Sequence, residues 1–138
     1  MTALGCGEDK FFPITVQEPP TATCPALQFD NYAVLVWQGN DFVGCQEGQC
    51  AGGVRTNARA CVAGLQTPVL EPGKATRVKV MLFAGVPSDP PAWCGEGAVA
   101  EVDFDTPKLD VILECPTSCS SDPCQPQTCF NERNMLCH

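Results

Sequence analysis

Eleven cysteines are the side chains of this 138-residue sequence that offer the most chemistry. Thioredoxin-like redox sites, zinc ribbons and c-type haem attachment all depend on a C-x-x-C motif, which the sequence lacks. The last five cysteines follow the spacing C-x3-C-x4-C-x4-C-x7-C, which also differs from the runs that hold ferredoxin clusters. Many cysteines without a metal-binding spacing predict a disulfide scaffold that is exported to an oxidising compartment. A thiolate metal site in a reducing cell is the alternative.

Ten of the cysteines are predicted to form disulfides, and Cys6 is the eleventh. Five of the ten precede the tail of the chain, namely Cys24, Cys45, Cys50, Cys61 and Cys94. The other five belong to the tail, namely Cys115, Cys119, Cys124, Cys129 and Cys137. The pairing itself cannot be read from sequence. Because both groups have an odd number of members, full pairing requires an odd number of bridges between tail and body. The tail is therefore expected to be fastened to the body.

Few other side chains favour catalysis. The single histidine, His138, stands at the end of the sequence, where chains are usually mobile. The four serines lie in proline- or cysteine-rich stretches, without the G-x-S-x-G motif of a nucleophile elbow. The glycine-rich residues 44–53 lack the Lys-Ser or Lys-Thr pair that completes a phosphate-binding loop. We therefore predict no catalytic residues, no cofactor and no enzymatic activity.

Carboxylates are the most abundant polar groups. Glu101, Asp103 and Asp105 are expected to share the outward face of one strand, with Asp110 and Glu114 outward on its partner. Such a cluster could bind Ca²⁺, which takes several oxygen ligands. The D-x-D-x-D-G loop is missing, however, and acids on a wet strand face commonly serve only as solubilising charge. We therefore predict no metal site.

The two tryptophans are the candidates for ligand contact. Trp37 ends an apolar run and is expected in the core. Trp93 lies in a stretch rich in proline, residues 87–95, which is expected to form a loop. An aromatic side chain on a rigid loop is the best single candidate for contact with a partner. Packing against a disulfide at the adjacent Cys94 is the alternative.

The charge balance excludes several classes of partner. Sixteen acidic residues against eight basic ones give a net charge of −8, and the basic residues are not clustered. Nucleic-acid binding, which depends on basic patches that neutralise phosphates, is therefore not expected. The same lack of basic clusters argues against electrostatic binding to anionic membranes, so a membrane contact is expected only through a lipid anchor. No apolar run reaches the length of a transmembrane helix.

The first residues resemble a bacterial lipoprotein signal. Ala3, Leu4 and Gly5 precede Cys6, much as small and aliphatic residues precede the lipidated cysteine in a lipobox, although the leucine is displaced by one position. The resemblance implies that Cys6 carries a lipid and that a longer reading frame supplies the signal peptide. The alternative is that Cys6 is another disulfide cysteine.

The elements that would position these residues are short strands, because thirteen prolines and twelve glycines leave few windows for a helix. Asn31–Gln38 is apolar on both alternating faces, which predicts a central strand covered on both sides. Residues 54–62 alternate between apolar and polar, which predicts a strand with one wet face. The glycine-rich residues 44–53 are expected to form a loop that a Cys45–Cys50 disulfide would clip.

Further strands are predicted on both sides of this region. Residues 11–16 indicate an edge strand interrupted by Pro13. Residues 98–104 and 109–113 alternate with apolar side chains inward, and residues 105–108 join them as a hairpin. From Cys115 onward, prolines, serines and cysteines replace aliphatic residues, which indicates an irregular tail.

Residues 69–82 carry a second resemblance. Pro72 followed by Gly73 is the signature of a type II turn. After the turn, the residues expected inward are Thr76, Val78, Val80 and Leu82, and those expected outward are Arg77, Lys79 and Met81. The pattern L-x-P-G-x-x-x-x-V-x-V resembles a strand-turn-strand unit of bacterial immunoglobulin-like domains and of transthyretin-like carboxypeptidase regulatory domains. The resemblance implies a β-sandwich and no particular function.

These patterns predict an all-β fold, a small antiparallel immunoglobulin-like β-sandwich with a disulfide-rich irregular tail. Residues 1–30 are expected to form an N-terminal anchor or extended segment, residues 31–115 the sandwich core, and residues 116–138 a cysteine-rich tail packed on it.

We expect a structural or protein-interaction module of the bacterial cell envelope, extracellular or periplasmic, whose partner is another envelope or extracellular protein. The alternative is a small carbohydrate- or peptide-binding domain that uses loops 44–53 and 87–95. An unpaired sheet edge would favour the first function, and a concave loop end the second.

Overall fold

The computed structural model describes residues 13–19, 22–24, 27–68, 70–71, 73–84, 91–99 and 109–137. The strands are β1 (Ile14–Gln17), β2 (Asn31–Gln38), β3 (Asp41–Gln49), β4 (Thr76–Phe83), β5 (Trp93–Val99) and β6 (Leu109–Glu114). The helices are α1 (Ala58–Cys61) and α2 (Pro126–Leu136), with 3-10 turns at Ala51–Gly53 and Asp122–Cys124.

All six strands belong to one curved sheet in the order β1-β6-β5-β4-β2-β3, which forms a half-barrel. Neighbouring strands are antiparallel, except that β1 runs parallel to β6. The protein is therefore mostly β, as predicted. An immunoglobulin-like sandwich requires two facing antiparallel sheets, and the described strands form one mixed sheet, so that finer prediction is not confirmed.

The prediction for Asn31–Gln38 is confirmed. Successive side chains of a strand point to opposite faces, and both faces of β2 are buried. Val34 and Val36 lie in the first core, which we define as the buried cluster on one face of the sheet. Leu35 and Trp37 lie in the second core, the cluster on the other face.

The first core is covered by the chain between β3 and β4. Its members from this region are Cys50, Ala58, Cys61, Val62 and Leu70. They pack on side chains of the same face of the sheet, namely Ile14, Val16, Val34, Val36, Val78, Val80, Leu82, Trp93, Leu109, Val111 and Leu113. The inward direction predicted for the alternate residues of β4 and β6 is therefore confirmed.

Three predictions for residues 44–62 are wrong. Residues 54–62 do not form a strand, because the Asn57 side chain accepts a hydrogen bond from Ala60 N–H at 2.9 Å and starts the helical turn α1. The glycine-rich residues 44–53 do not form one loop, because residues 44–49 belong to the strand β3 and only the remainder lies outside it. A Cys45–Cys50 clip is also wrong, since Cys45 pairs with Cys137 and Cys50 with Cys61.

The alternation predicted that Arg77, Lys79 and Met81 face outward. This face of β4 is not exposed to solvent, however, but lies in or beside the second core. Met81 and Phe83 are buried there, because α2 from the tail packs on this face. The helix starts with Pro126 in its first turn, a position that proline favours. Its only fully buried residue is Cys129, so α2 lacks the apolar stripe from which a helix is usually predicted.

Five disulfides fasten the chain. They are Cys24–Cys115, Cys45–Cys137, Cys50–Cys61, Cys94–Cys129 and Cys119–Cys124. Three of them join the last five cysteines to the earlier five, which confirms the predicted odd number. Cys6 lies outside the described residues.

β5 and β6 approach each other closely at two glycines. A Cβ atom at Gly95 would lie 2.0 Å from the carbonyl oxygen of Ile112, and one at Gly97 would lie 1.9 Å from that of Asp110. Side chains do not tolerate such contacts, so this spacing requires glycine. The close pairing fixes β6 on β5 and thereby places β1, which pairs with β6 at the edge of the sheet.

The first testable prediction concerns Gly73, which has the predicted positive φ, at 77°; Pro72 lies outside the described residues. Because β-branched side chains are strained at this φ, Gly73→Val should lower the free energy of unfolding in urea by about 1–2 kcal/mol. Lys74→Ala is the control. Lys74 is exposed, and its hydrogen bond to Glu71 raises its pKa, but loss of such a surface pair should cost little. Equal losses from both changes would contradict the turn assignment.

The second prediction concerns Lys79, which is 1% exposed beneath α2. Its ammonium donates a hydrogen bond to the Glu132 carboxylate on the helix. Glu132→Gln leaves the buried ammonium without a counter-charge, so it should lower the free energy of unfolding by about 3 kcal/mol. Lys79→Met removes the buried charge, and the Glu132 carboxylate that it leaves behind is 24% exposed and can be hydrated, so this change should cost much less. Denaturant unfolding of both variants measures the difference. If Lys79→Met destabilises as strongly as Glu132→Gln, the ion pair itself contributes the stability.

The third prediction concerns the disulfides. Reduction of the purified protein should raise its intact mass by about 2 Da per bridge, or about 10 Da for the five bridges seen here. Peptide mapping without reduction should recover the five pairs named above. Recovery of free thiols at these ten positions, or of a thiolate-bound metal, would contradict the oxidised scaffold.

Candidate functional site

A groove of about 500 Å³ runs along the edge strand β1. Its volume lies within the range of sites that bind small molecules or peptide segments. One wall is β1 itself with the preceding Pro13, and the other is Arg59 together with residues 62–66. Asp110 on β6 also lines the groove.

The first wall is held by the sheet and the first core. β1 pairs with β6 in a parallel register that runs from Ile14 opposite Leu109 to Gln17 opposite Ile112. Ile14 and Val16 turn their side chains into the first core and are 4% and 5% exposed. The Thr15 hydroxyl donates a hydrogen bond to the Asp110 carboxylate. This wall is therefore anchored on its core face and along β6.

The second wall is held by a disulfide, by burial in the first core and by a hydrogen bond to β1. Cys61 at the end of α1 is joined to Cys50 and buried in the first core. Val62 follows it and is also buried, while Ala63 and Gly64 turn outward. The Leu65 carbonyl accepts a hydrogen bond from Ile14 N–H at 3.1 Å. The two walls are thus tied together at one end of the groove.

The backbone of β1 is open beyond that tie. Leu109 N–H donates to the Pro13 carbonyl at 3.4 Å, on the side of β6, whereas Ile14 N–H donates to Leu65 on the opposite side. Since alternate residues of a strand direct their amides to the same side, the N–H and carbonyl of Val16 also face the groove. In the described part of the chain, the bridge on this side joins Pro13 to Gln66 and extends no further.

The groove carries one cation without a partner among the described residues. Arg59 is exposed and forms no ion pair with them, whereas Asp110 is engaged by Thr15. The other described lysines and arginines are all paired: Arg55 with Asp30, Lys74 with Glu71, Arg77 with Glu96, Lys79 with Glu132, and Arg133 with Glu47.

Trp93, the predicted ligand contact, lies elsewhere. It is the first residue of β5 rather than part of a loop, and its side chain is 3% exposed in the first core. Its ring packs against Phe29 with 4.9 Å between centroids. A buried ring offers no surface to a ligand in this conformation. Trp37 is in the second core, as expected, with the Arg77 guanidinium 4.0 Å from its ring centroid.

The acidic residues predicted on two neighbouring strands are only partly visible. Glu101, Asp103 and Asp105 lie outside the described residues, as do residues 105–108 of the predicted hairpin and His138. Asp110 and Glu114 point away from the first core on β6, as predicted. Asp110 lines the groove, whereas Glu114 does not.

Two groups of potential metal ligands lie within the described ranges. One contains Cys45, Glu47 and Cys137, and the other contains Glu114, Cys119 and Cys124. In each group the two cysteines are joined in a disulfide. Since the thiolate is the form that binds metals, neither group is a metal site in the oxidised protein.

Sequence reasoning missed the groove. The alternation of Ile14 and Val16 had indicated an edge strand, and the structure confirms one, but its opposite wall was expected to be a strand. No local pattern connects residues 13–17 with residues 59–66, because their proximity is set by the sheet and by the Cys50–Cys61 bridge.

Neither helix in the described part of the chain has the length and apolar character needed to cross a bilayer. Comparison with known protein families, with curated proteins and with solved structures gives no match to this chain.

Proposed function

We propose that the protein is an exported, disulfide-stabilised interaction module that binds a partner protein along the groove beside β1. The single observation that carries the proposal is the open backbone of this edge strand, at Val16, inside a groove of about 500 Å³. An exposed sheet edge is a common binding site for an extended segment, because main-chain hydrogen bonds add a strand to the sheet.

The disulfides support the export part of the proposal. Ten cysteines paired in five bridges are consistent with an extracellular or periplasmic location, since cytosolic thiols are kept reduced. Attachment to the bacterial envelope through a lipid on Cys6 remains part of the proposal. We propose no catalytic activity and no cofactor, in keeping with the single histidine and the absence of nucleophile motifs in the sequence.

The alternative, a carbohydrate- or peptide-binding domain that uses loops 44–53 and 87–95, has less support. Most of the first loop is the strand β3, and Trp93 of the second is buried. Carbohydrate sites commonly present an aromatic face to the sugar, and Trp93 presents none. The unpaired edge at β1 is the feature that favours a partner protein.

The fourth prediction tests the groove as the binding surface. The photo-crosslinker p-benzoylphenylalanine placed at Ala63, on the exposed second wall, should form an adduct of one defined mass when the full-length protein is irradiated in its native envelope. The same group at Asn40 is the matched control, because Asn40 is also exposed but lies in the turn between β2 and β3, outside the groove. Adducts are detected by immunoblotting and identified by mass spectrometry. Equal adduct patterns at both positions, or none at Ala63, would contradict the proposal.

A further inference from the structure

We infer that the groove recognises an extended, largely apolar peptide segment that carries a carboxylate, and that this carboxylate pairs with Arg59. The inference rests on the proposed function and specifies the chemistry of its partner. Three observations carry it: the open backbone of β1, the apolar character of the walls, and the position of Arg59, which has no ion pair with the described residues.

The open backbone dictates an extended ligand. The Val16 N–H and carbonyl face the groove with no partner strand in the described sheet. A peptide strand laid along β1 would satisfy both groups, whereas a helix would satisfy neither, because its own backbone groups bond internally. The Pro13–Gln66 bridge closes one end of the groove, so the ligand lies beyond it, next to Val16 and Gln17.

The walls favour apolar side chains on that ligand. Ile14, Val16, Val62 and Leu65 line the groove and also belong to, or pack against, the first core. A peptide side chain that enters between them is removed from water, which contributes about 25 cal/mol for each Å² of apolar surface buried. An alternating peptide places every second side chain on this face.

Arg59 sets the charge of the ligand. Among the described cations of a chain with net charge −8, it alone has no ion pair, and it lies at the groove. Asp110 also lines the groove and keeps its negative charge, but it belongs to β6, where its carboxylate accepts a hydrogen bond from Thr15 on β1. Arg59 belongs to the second wall, and the ligand group that complements Arg59 is a carboxylate, since complementary charge contributes to partner choice. The net charge of −8 opposes a second copy of the chain as the occupant.

The experiment compares two series of synthetic hexapeptides of alternating threonine and valine, with both termini blocked. In one series a glutamate replaces one of the three threonines, and in the other a lysine replaces it, so each charged residue is tested at all three positions. Binding to the full-length oxidised protein is followed by chemical-shift titration. We expect the best glutamate peptide to bind two- to fivefold more tightly than its lysine counterpart, which corresponds to about 0.4–1 kcal/mol and lies within the range of exposed ion pairs. Resonances of Val16 and residues 63–66 should shift most.

Variants identify the cation and the backbone contact. Arg59→Gln should remove the preference for glutamate, and Arg59→Glu should reverse it in favour of lysine. Lys74→Gln is the matched control, because it removes one exposed positive charge outside the groove, and it should leave the preference unchanged. N-methylation of alternate peptide bonds should abolish binding in the register that pairs with Val16.

Several outcomes would overturn the inference. Equal affinities of the glutamate and lysine peptides exclude recognition of a carboxylate by Arg59. The same conclusion follows if Lys74→Gln removes the preference for glutamate as fully as Arg59→Gln does. Undiminished binding by the N-methylated peptides excludes strand addition. A dimer that forms through β1 in sedimentation experiments assigns the groove to a second copy. If the Ala63 adduct forms while the peptides show no charge preference, the interaction function stands and only the carboxylate inference fails.

Discussion

The structure depends on one constraint: the strand β2 and the second half of β4 are apolar on both faces, so this part of the sheet must be covered twice. The first cover comes from the chain between β3 and β4, where Cys50, Cys61 and Leu70 close over one face. The second cover is the tail helix α2, in which Cys129 is the only fully buried residue and the apolar residues form no continuous stripe. Burial alone repays little of the entropy lost when such a helix is ordered. The Cys94–Cys129 and Cys45–Cys137 bridges supply the attachment instead.

The polar contacts under α2 determine where the helix sits. Lys79 is buried on the sheet and meets Glu132, and Arg133 meets Glu47 on β3 while its guanidinium lies 5.6 Å from the ring centroid of Phe83. An apolar helix could slide on an apolar sheet at little cost, but a displaced α2 would leave the ammonium of Lys79 buried without a counter-charge. The disulfides hold the helix on the sheet, and the ion pairs restrict its register.

The sequence predicts the parts of this fold that depend on local apolar patterns. β2 is a short run that is apolar on both faces, β6 alternates with a period of two, and the structure contains both strands. The sequence does not predict α2, because a helix held by disulfides needs no apolar stripe. It does not predict β3 either, because Gly44, Gln46 and Gly48 lack strand propensity and are accommodated by pairing with β2. The groove could not be predicted from the sequence either, since its walls meet only through contacts between residues distant in sequence. The local pattern at Ile14 and Val16 indicates the edge strand, which is one wall of the groove.

The connectivity of the bridges has a consequence for how the chain forms its native disulfides. Cys24 pairs with a residue 91 positions later and Cys45 with one 92 positions later, so both are synthesised long before their partners. An oxidase that acts on the growing chain before those partners are present would form non-native bonds such as Cys24–Cys45, which are converted to the native pairs by thiolate attack through a mixed disulfide. Oxidation during synthesis therefore calls for shuffling capacity, from an isomerase or a thiol buffer, in addition to an oxidant.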